Sequence, residues 1–135
     1  MVWPFKKRIL LKDSGIFEGF TDWHSHILPG VDDGVRTMEE ALEILRLYEG
    51  LGVKTVWLTP HIMEDTPNTT AHLRERFAEL QAAYTGPITL HLAAENMLDS
   101  IFEERLGKND LLPLNMVLMP SSCSRLNKLR QKLPA

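Results

Sequence analysis

The feature that most narrows this chain's fold is an alternation of short β-rich runs with amphipathic helical stretches. Residues 20–26 read as a strand, closed by Pro29 and Gly30, with turn chemistry in Asp32, Asp33 and Gly34. Thr37 and Glu40 have the spacing of a capping box. Met38, Ala41, Leu42, Leu45 and Tyr48 then follow at helical intervals until Gly50 and Gly52 offer the stop. Residues 53–58 form a second β-rich run, halted at Thr59-Pro60. A polar loop over 61–70 leads into a second helical pattern of Leu73, Phe77, Leu80 and Tyr84, broken by Gly86-Pro87. Residues 88–93 read as a third strand and 116–119 as a fourth. Between them Ser100 and Glu103 predict a capping box that opens a short helix ending near Leu106. This spacing predicts an α/β fold of successive parallel βα units.

With 135 residues, 44% of them hydrophobic, the chain can bury one core of modest size. No apolar run reaches the ~20 residues of a membrane helix, so no membrane insertion is expected. A single cysteine excludes an internal disulfide framework and a thiolate zinc site, and the expected compartment is the cytoplasm. A net charge of −3 gives no global attraction to nucleic acid. The charge is uneven along the chain. Residues 1–120 hold all 18 acidic side chains, whereas the last stretch holds Arg125, Lys128, Arg130 and Lys132 with no acid. This divides the chain into a basic lead-in at 1–19, a domain at 20–119 and a divergent basic tail at 120–135.

The chemistry lies at the strand ends. His24 and His26 are two apart in a strand, so both imidazoles are expected on one face. His61 directly follows the second strand, Glu95 directly follows the third, and Asp32 and Asp33 lie in the loop after the first. In a parallel sheet or barrel these positions share the C-terminal rim, where active sites of this architecture gather. Histidines and carboxylates without cysteine point to a catalytic rather than a structural metal: manganese, zinc, iron or magnesium. The remaining candidates read as structure. His72 is a solvated helix residue and His91 a packed or partnered strand residue. Trp57, Phe77 and Tyr84 belong to the core, and Trp23 packs under a helix on the opposite side of its strand from the histidines.

Asp22-Trp-His-Ser-His-Ile-Leu-Pro-Gly-Val-Asp-Asp-Gly34, then Thr59-Pro-His61, then Ala93-Ala-Glu95 resembles the bacterial PHP-domain (polymerase and histidinol phosphatase) protein-tyrosine phosphatases. These are manganese-dependent enzymes of capsule and exopolysaccharide regulation. The likeness runs from about residue 5 to Met119 and includes the Pro60-His-Ile-Met-Glu-Asp65 stretch. It implies the N-terminal part of a distorted (β/α)7 barrel. It also implies metal ligation by His24 and His26, a bridging Glu95, and a further metal served by His61 and Asp33. The implied reaction is hydrolysis of a protein phosphotyrosine with Mn2+ (Zn2+, Fe2+ or Mg2+ as alternatives), on a tyrosine kinase of polysaccharide synthesis. No catalytic residue beyond the metal ligands is implied. A cysteine mechanism is not expected, because Leu129 stands where the C-x5-R loop after Cys123 needs arginine.

The resemblance stops at Val117-Leu-Met-Pro120, where the family has another metal-binding Glu, and its later HxER and SDxH segments are absent. The expectation is a truncated chain whose exposed strand edges favour self-association. Two alternatives stay open: a catalytically dead metal-binding fragment, and a hydrolase of another phosphoester such as histidinol phosphate.

Overall fold

The computed structural model describes residues 9–118. It is an α/β structure of parallel strands and three helices. A 3-10 turn at Leu11–Asp13 precedes β1 (Thr21–Ser25), α1 (Met38–Leu51), β2 (Thr55–Leu58) and β3 (His61–Ile62). After these come α2 (Thr70–Ala83), β4 (Thr89–Leu92), β5 (Ala94–Met97), α3 (Ser100–Gly107) and β6 (Leu114–Leu118). The fourth strand expected at 116–119 is met by β6, and Met119 and the tail 120–135 lie outside the described residues.

The strands form two three-stranded sheets, ordered β1-β2-β4 and β3-β5-β6, and every named pair is parallel. The second sheet grows out of the first. Thr59 N–H donates to Ser25 O, Ala93 N–H to Leu58 O and Glu95 N–H to Pro60 O, so pairing is carried across both breaks. Two expectations are corrected here. His61 does not open a loop but begins β3, and Glu95 does not follow the third strand but lies within its continuation, β5. Pro60 interrupts the strand without ending the pairing, because its carbonyl remains available to the ladder even though it has no N–H.

Both long helices start where hydroxyl caps satisfy their free N–H groups. Thr37 accepts from Glu40 N–H while the Glu40 carboxylate accepts from Thr37 N–H, a complete capping box, and Thr69 accepts from His72 N–H. Gly52, with φ +88°, ends α1 in the left-handed conformation that suits glycine. At α3 the cap is Asp99, not Ser100, because Asp99 Oδ1 accepts from Phe102 N–H. Ser100 Oγ is engaged instead by Glu64 Oε1 at 2.6 Å.

One core joins the layers. Ala41 and Leu45 of α1 and Leu73 and Leu80 of α2 pack with Val56, Leu58, Ile62, Leu90 and Ala94 from the strands. No described helix is long and apolar enough to cross a membrane.

The opposite sheet face departs from expectation. Trp23 is 61% exposed rather than packed under a helix, and it stacks on Trp57 at 5.9 Å. Trp57, half-buried rather than in the core, stacks in turn on His91 at 4.5 Å. A register shift in β1 lies beside this row. Asp22 pairs with Val56 and Ser25 with Leu58, so Trp23 and His24 together oppose the single residue Trp57. Strict alternation would aim His24 with Asp22, whose carboxylate accepts the Tyr48 hydroxyl from α1 at 3.0 Å. The extra residue frees His24 from that face.

Replacing Thr37 by Ala should cost about 1 kcal/mol of stability in a denaturant titration, with Thr37→Ser nearly neutral. Equal losses from both would show that the methyl group, not the capping hydroxyl, matters.

Candidate metal centre

Four side chains, from β1 and the residue after it, β3 and β5, converge at the rim. Glu95 is buried, and its Oε2 lies 3.4 Å from His24 Nε2, 3.1 Å from His26 Nε2 and 3.3 Å from His61 Nδ1. His61 reaches it because it sits beside Glu95 in the β3–β5 register. The two Nε2 atoms of His24 and His26 face each other at 3.2 Å. Asp33, largely exposed, brings Oδ1 to 3.4 Å from His61 Nε2.

The hydrogen bonds behind the rings fix which nitrogen carries the proton. His26 Nδ1 lies 2.8 Å from Asp32 Oδ2, which has no proton to give as a carboxylate, so Nδ1–H donates and Nε2 keeps its lone pair. His24 Nδ1 lies 3.1 Å from Thr59 Oγ1, whose hydroxyl donates to Ser25 O at 3.2 Å. Nδ1–H therefore donates here too, and the second Nε2 lone pair also points inward. Two imidazole lone pairs and a buried carboxylate oxygen at these separations repel one another unless a cation or a proton lies among them. The buried His61 Nδ1 faces the same carboxylate oxygen and has no hydrogen-bond partner.

This donor set fits a divalent metal. Ligand atoms of His24, His26 and Glu95 lie within 4.8 Å of one another, as do those of His26, Asp32, Asp33 and His61. His, Asp and Glu without thiolate suit zinc, manganese or iron, and leave room for open positions.

Asp32 is the member whose part was not foreseen. By sequence it shares the loop with Asp33, to which the family resemblance assigns ligation. In the structure its side chain is fully buried at the base of the site. Oδ2 accepts from His26 and from His61 N–H at 3.0 Å, and Oδ1 accepts from Gly34 N–H at 3.0 Å. Burial works to raise its pKa, but the hydrogen bonds from His26, Gly34 and His61 outweigh it and hold the carboxyl below its usual range. The same bond to Asp32, partly opposed by burial, raises the pKa of His26. The adjacent Asp-Asp pair was the only signal, and nothing in it distinguishes the orienting carboxylate from the exposed one.

Behind Glu95, Asn96 turns to the other face and accepts from Arg105 Nη1 at 3.1 Å, while Arg105 Nη2 donates to Thr70 Oγ1 at 2.9 Å. A buried guanidinium thus ties α3, β5 and the start of α2 together under the site.

Two substitutions separate orientation from ligation. Asp32→Asn should weaken Mn2+ binding by about 10–100-fold in calorimetric titration, because all three partners are donors and an amide NH2 cannot face them. Gly34→Ala changes no ligand, yet its Cβ would meet His26 O at 2.2 Å. It should weaken binding similarly and cost about 1–3 kcal/mol of stability. Unchanged affinity in both variants would show that the loop does not position the histidines.

Comparison with known proteins bears on this centre. Residues 20–119 match the family described as "Capsular polysaccharide synthesis, CpsB/CapC". The chain is 33% identical over 98 residues to the tyrosine-protein phosphatase YwqE of Bacillus subtilis, a match covering 70% of this chain and 39% of that protein. It also superposes, with a TM-score of 0.70 and 26% identity, on a solved structure from work on YwqE of Bacillus subtilis and CpsB of Streptococcus pneumoniae. Those two are described as unique metal-dependent tyrosine phosphatases. That match covers 82% of this chain and 49% of the solved one, so the chain spans less than half the length of these relatives. The strand-end histidines and Glu95 lie inside the matched region, and the chain belongs to the CpsB/CapC family.

Proposed function

We propose that the centre built from His24, His26, Asp33, His61 and Glu95 serves the metal-dependent hydrolysis of phosphotyrosine in a protein substrate. The observation that carries this reading is the convergence of three histidines on one buried carboxylate, at the rim of a fold shared with metal-dependent tyrosine phosphatases. Residues 20–119 are the unit to which the proposal applies. A cytoplasmic setting, Mn2+ as the working ion, and a tyrosine kinase of polysaccharide synthesis as substrate complete it.

In the reaction the phosphoryl group passes from the tyrosine oxygen to water, the phosphorus–oxygen bond to the ring breaks, and the phenolate leaves. A divalent ion bound at the rim supplies Lewis acidity, lowering the pKa of water and offsetting charge on the phosphoryl oxygens. His24, His26 and Glu95 would hold one such ion, while His61 and Asp33 would serve a second, with Glu95 between them. Asp32 keeps the His26 ring in the tautomer that presents Nε2, and Thr59 does the same for His24. Burial of Glu95 reduces solvent screening of its attraction for a cation.

With Mn2+ present, the chain should release phosphate from a phosphotyrosine peptide, and chelation should abolish the release. His26→Ala should lower the rate about a hundredfold or more, about 3 kcal/mol of barrier. Saturable Mn2+ binding without any phosphate release would leave a metal-binding module and overturn the enzymatic reading. Faster turnover of histidinol phosphate than of the peptide would overturn the substrate.

A further inference from the structure

We propose that Asn68 is a positioning residue for the second ion of the rim, holding the loop tip that carries Asp33 in place beside His61. The proposal rests on the two-ion reading above, in which His61 and Asp33 serve that ion. Asn68 stands in the Pro67-Asn-Thr69 run ahead of α2, where the sequence reads only as polar loop. In the structure its Nδ2 donates to Val31 O at 2.8 Å and to His61 O at 2.9 Å. An amide NH2 has two hydrogens, and each here goes to a backbone carbonyl of a different segment. One carbonyl belongs to the ligand His61, and the other immediately precedes Asp32 and Asp33.

The bridge matters because of how the loop is built. Its base is closed by backbone bonds, Val35 N–H to His26 O at 3.0 Å and Gly30 N–H to Val35 O at 2.8 Å, and His26 directly follows β1. The tip, residues 31–34, is held by side chains instead. Asp32 accepts from Gly34 N–H within the tip and from His61 N–H across to β3, and Asn68 takes the Val31 carbonyl. Asp33 does little to fix itself, since its side chain is 83% exposed and comes no nearer to His61 Nε2 than 3.4 Å. The ligands of the first ion stand elsewhere: His24 is oriented by Thr59, His26 sits at the base of the loop, and Glu95 lies in β5. Loss of the bridge therefore loosens the side of the centre made by Asp33 and His61 and spares the other.

Asn68 can serve as an anchor because it is itself fixed from both sides. Upstream, its N–H donates to Thr66 O at 2.8 Å, and Thr66 and Met63 exchange backbone hydrogen bonds in a tight turn. Glu64 N–H in that turn donates to Asp99 Oδ2 at 2.9 Å, on the residue that caps α3. Downstream, Thr69 caps α2 and the Thr70 hydroxyl accepts from the buried Arg105. Further along α2, Arg76 Nη2 donates to Pro29 O at 3.2 Å, so the same side of the molecule grips the loop at a second carbonyl.

The test counts Mn2+ ions bound by the full chain, from the free Mn2+ signal in electron paramagnetic resonance during titration. Wild type should bind two ions, one more tightly than the other. Asn68→Asp keeps the shape, removes both donors and adds a negative charge. Charge alone would draw a cation in more tightly, so a weaker second ion isolates the lost bridge. Affinity for the weaker ion should fall about 10–100-fold in Asn68→Asp and in the uncharged Asn68→Ala, with the tighter ion unaffected. In the metal-free chain the His61 and Gly34 amides should exchange faster with solvent in both variants. Thr37→Ala, which loses a helix cap, should keep both ions as in wild type, separating positioning from a general loss of stability. An unchanged or tighter second ion in Asn68→Asp, equal loss of both ions, or unaltered amide exchange would overturn the proposal alone. A wild type that binds fewer than two ions would overturn the two-ion reading and this proposal with it.

Discussion

The rim depends on one buried carboxylate accepting three hydrogen bonds at once. Asp32 takes a proton donor from the His26 ring, one from the backbone of His61 and one from Gly34. Two of those donors come from the loop that joins β1 to α1 and the third from β3, so the carboxylate closes the loop on itself and ties it to β3. Burying a charge this way is costly unless it is hydrogen-bonded, and here three donors offset the cost. Gly34 is the steric complement, since the loop must pass so close to the His26 carbonyl that no side chain fits.

The second dependence is on strands that bend without breaking. β2 and β3, and likewise β4 and β5, are halves of continuous runs kinked at Thr59-Pro60 and at Ala93. The lower halves carry the apolar side chains that pack on α1 and α2, and the upper halves carry His61 and Glu95. A single pairing pattern therefore serves both the core and the site, and the register that buries Leu58 and Leu90 also sets His61 beside Glu95. The buried Arg105 belongs to this arrangement. With neutral oxygens of Asn96 and Thr70 as its hydrogen-bond partners and its Nε unpartnered, it accepts a desolvation cost that lowers its pKa in return for holding α3 against β5.

Local rules carried the reading of the helices and of the strand-end residues, and they stop where tertiary contacts choose between equals. Thr37 as the cap of α1 follows from residue type and spacing alone. Asp99 and Ser100 are both good caps, and the choice between them is made by Glu64, which takes the serine hydroxyl from 36 positions away. Pro60 reads as a stop because proline lacks a donor, yet only its carbonyl is needed at that point of the ladder. Alternation sets Trp23 across the sheet from His24 only in an unbroken register; one extra residue in β1 turns His24 away from the Asp22 face, while Trp23 stays opposite Asp22 and is exposed beside Trp57. Asp32 and Asp33 are indistinguishable by type, and only the fold separates the buried carboxylate from the exposed one.

The stacked row of Trp23, Trp57 and His91 makes the chain a reporter on its own sheet face. Two indoles nearly parallel at 5.9 Å couple their excited states, and an imidazole stacked on one of them quenches its emission. Because Trp23 is open to water, the colour and intensity of tryptophan emission follow whatever comes to lie over that face. Trp23 is the chain neighbour of His24 and joins it opposite Trp57, so the same emission also senses a change at the edge of the metal centre.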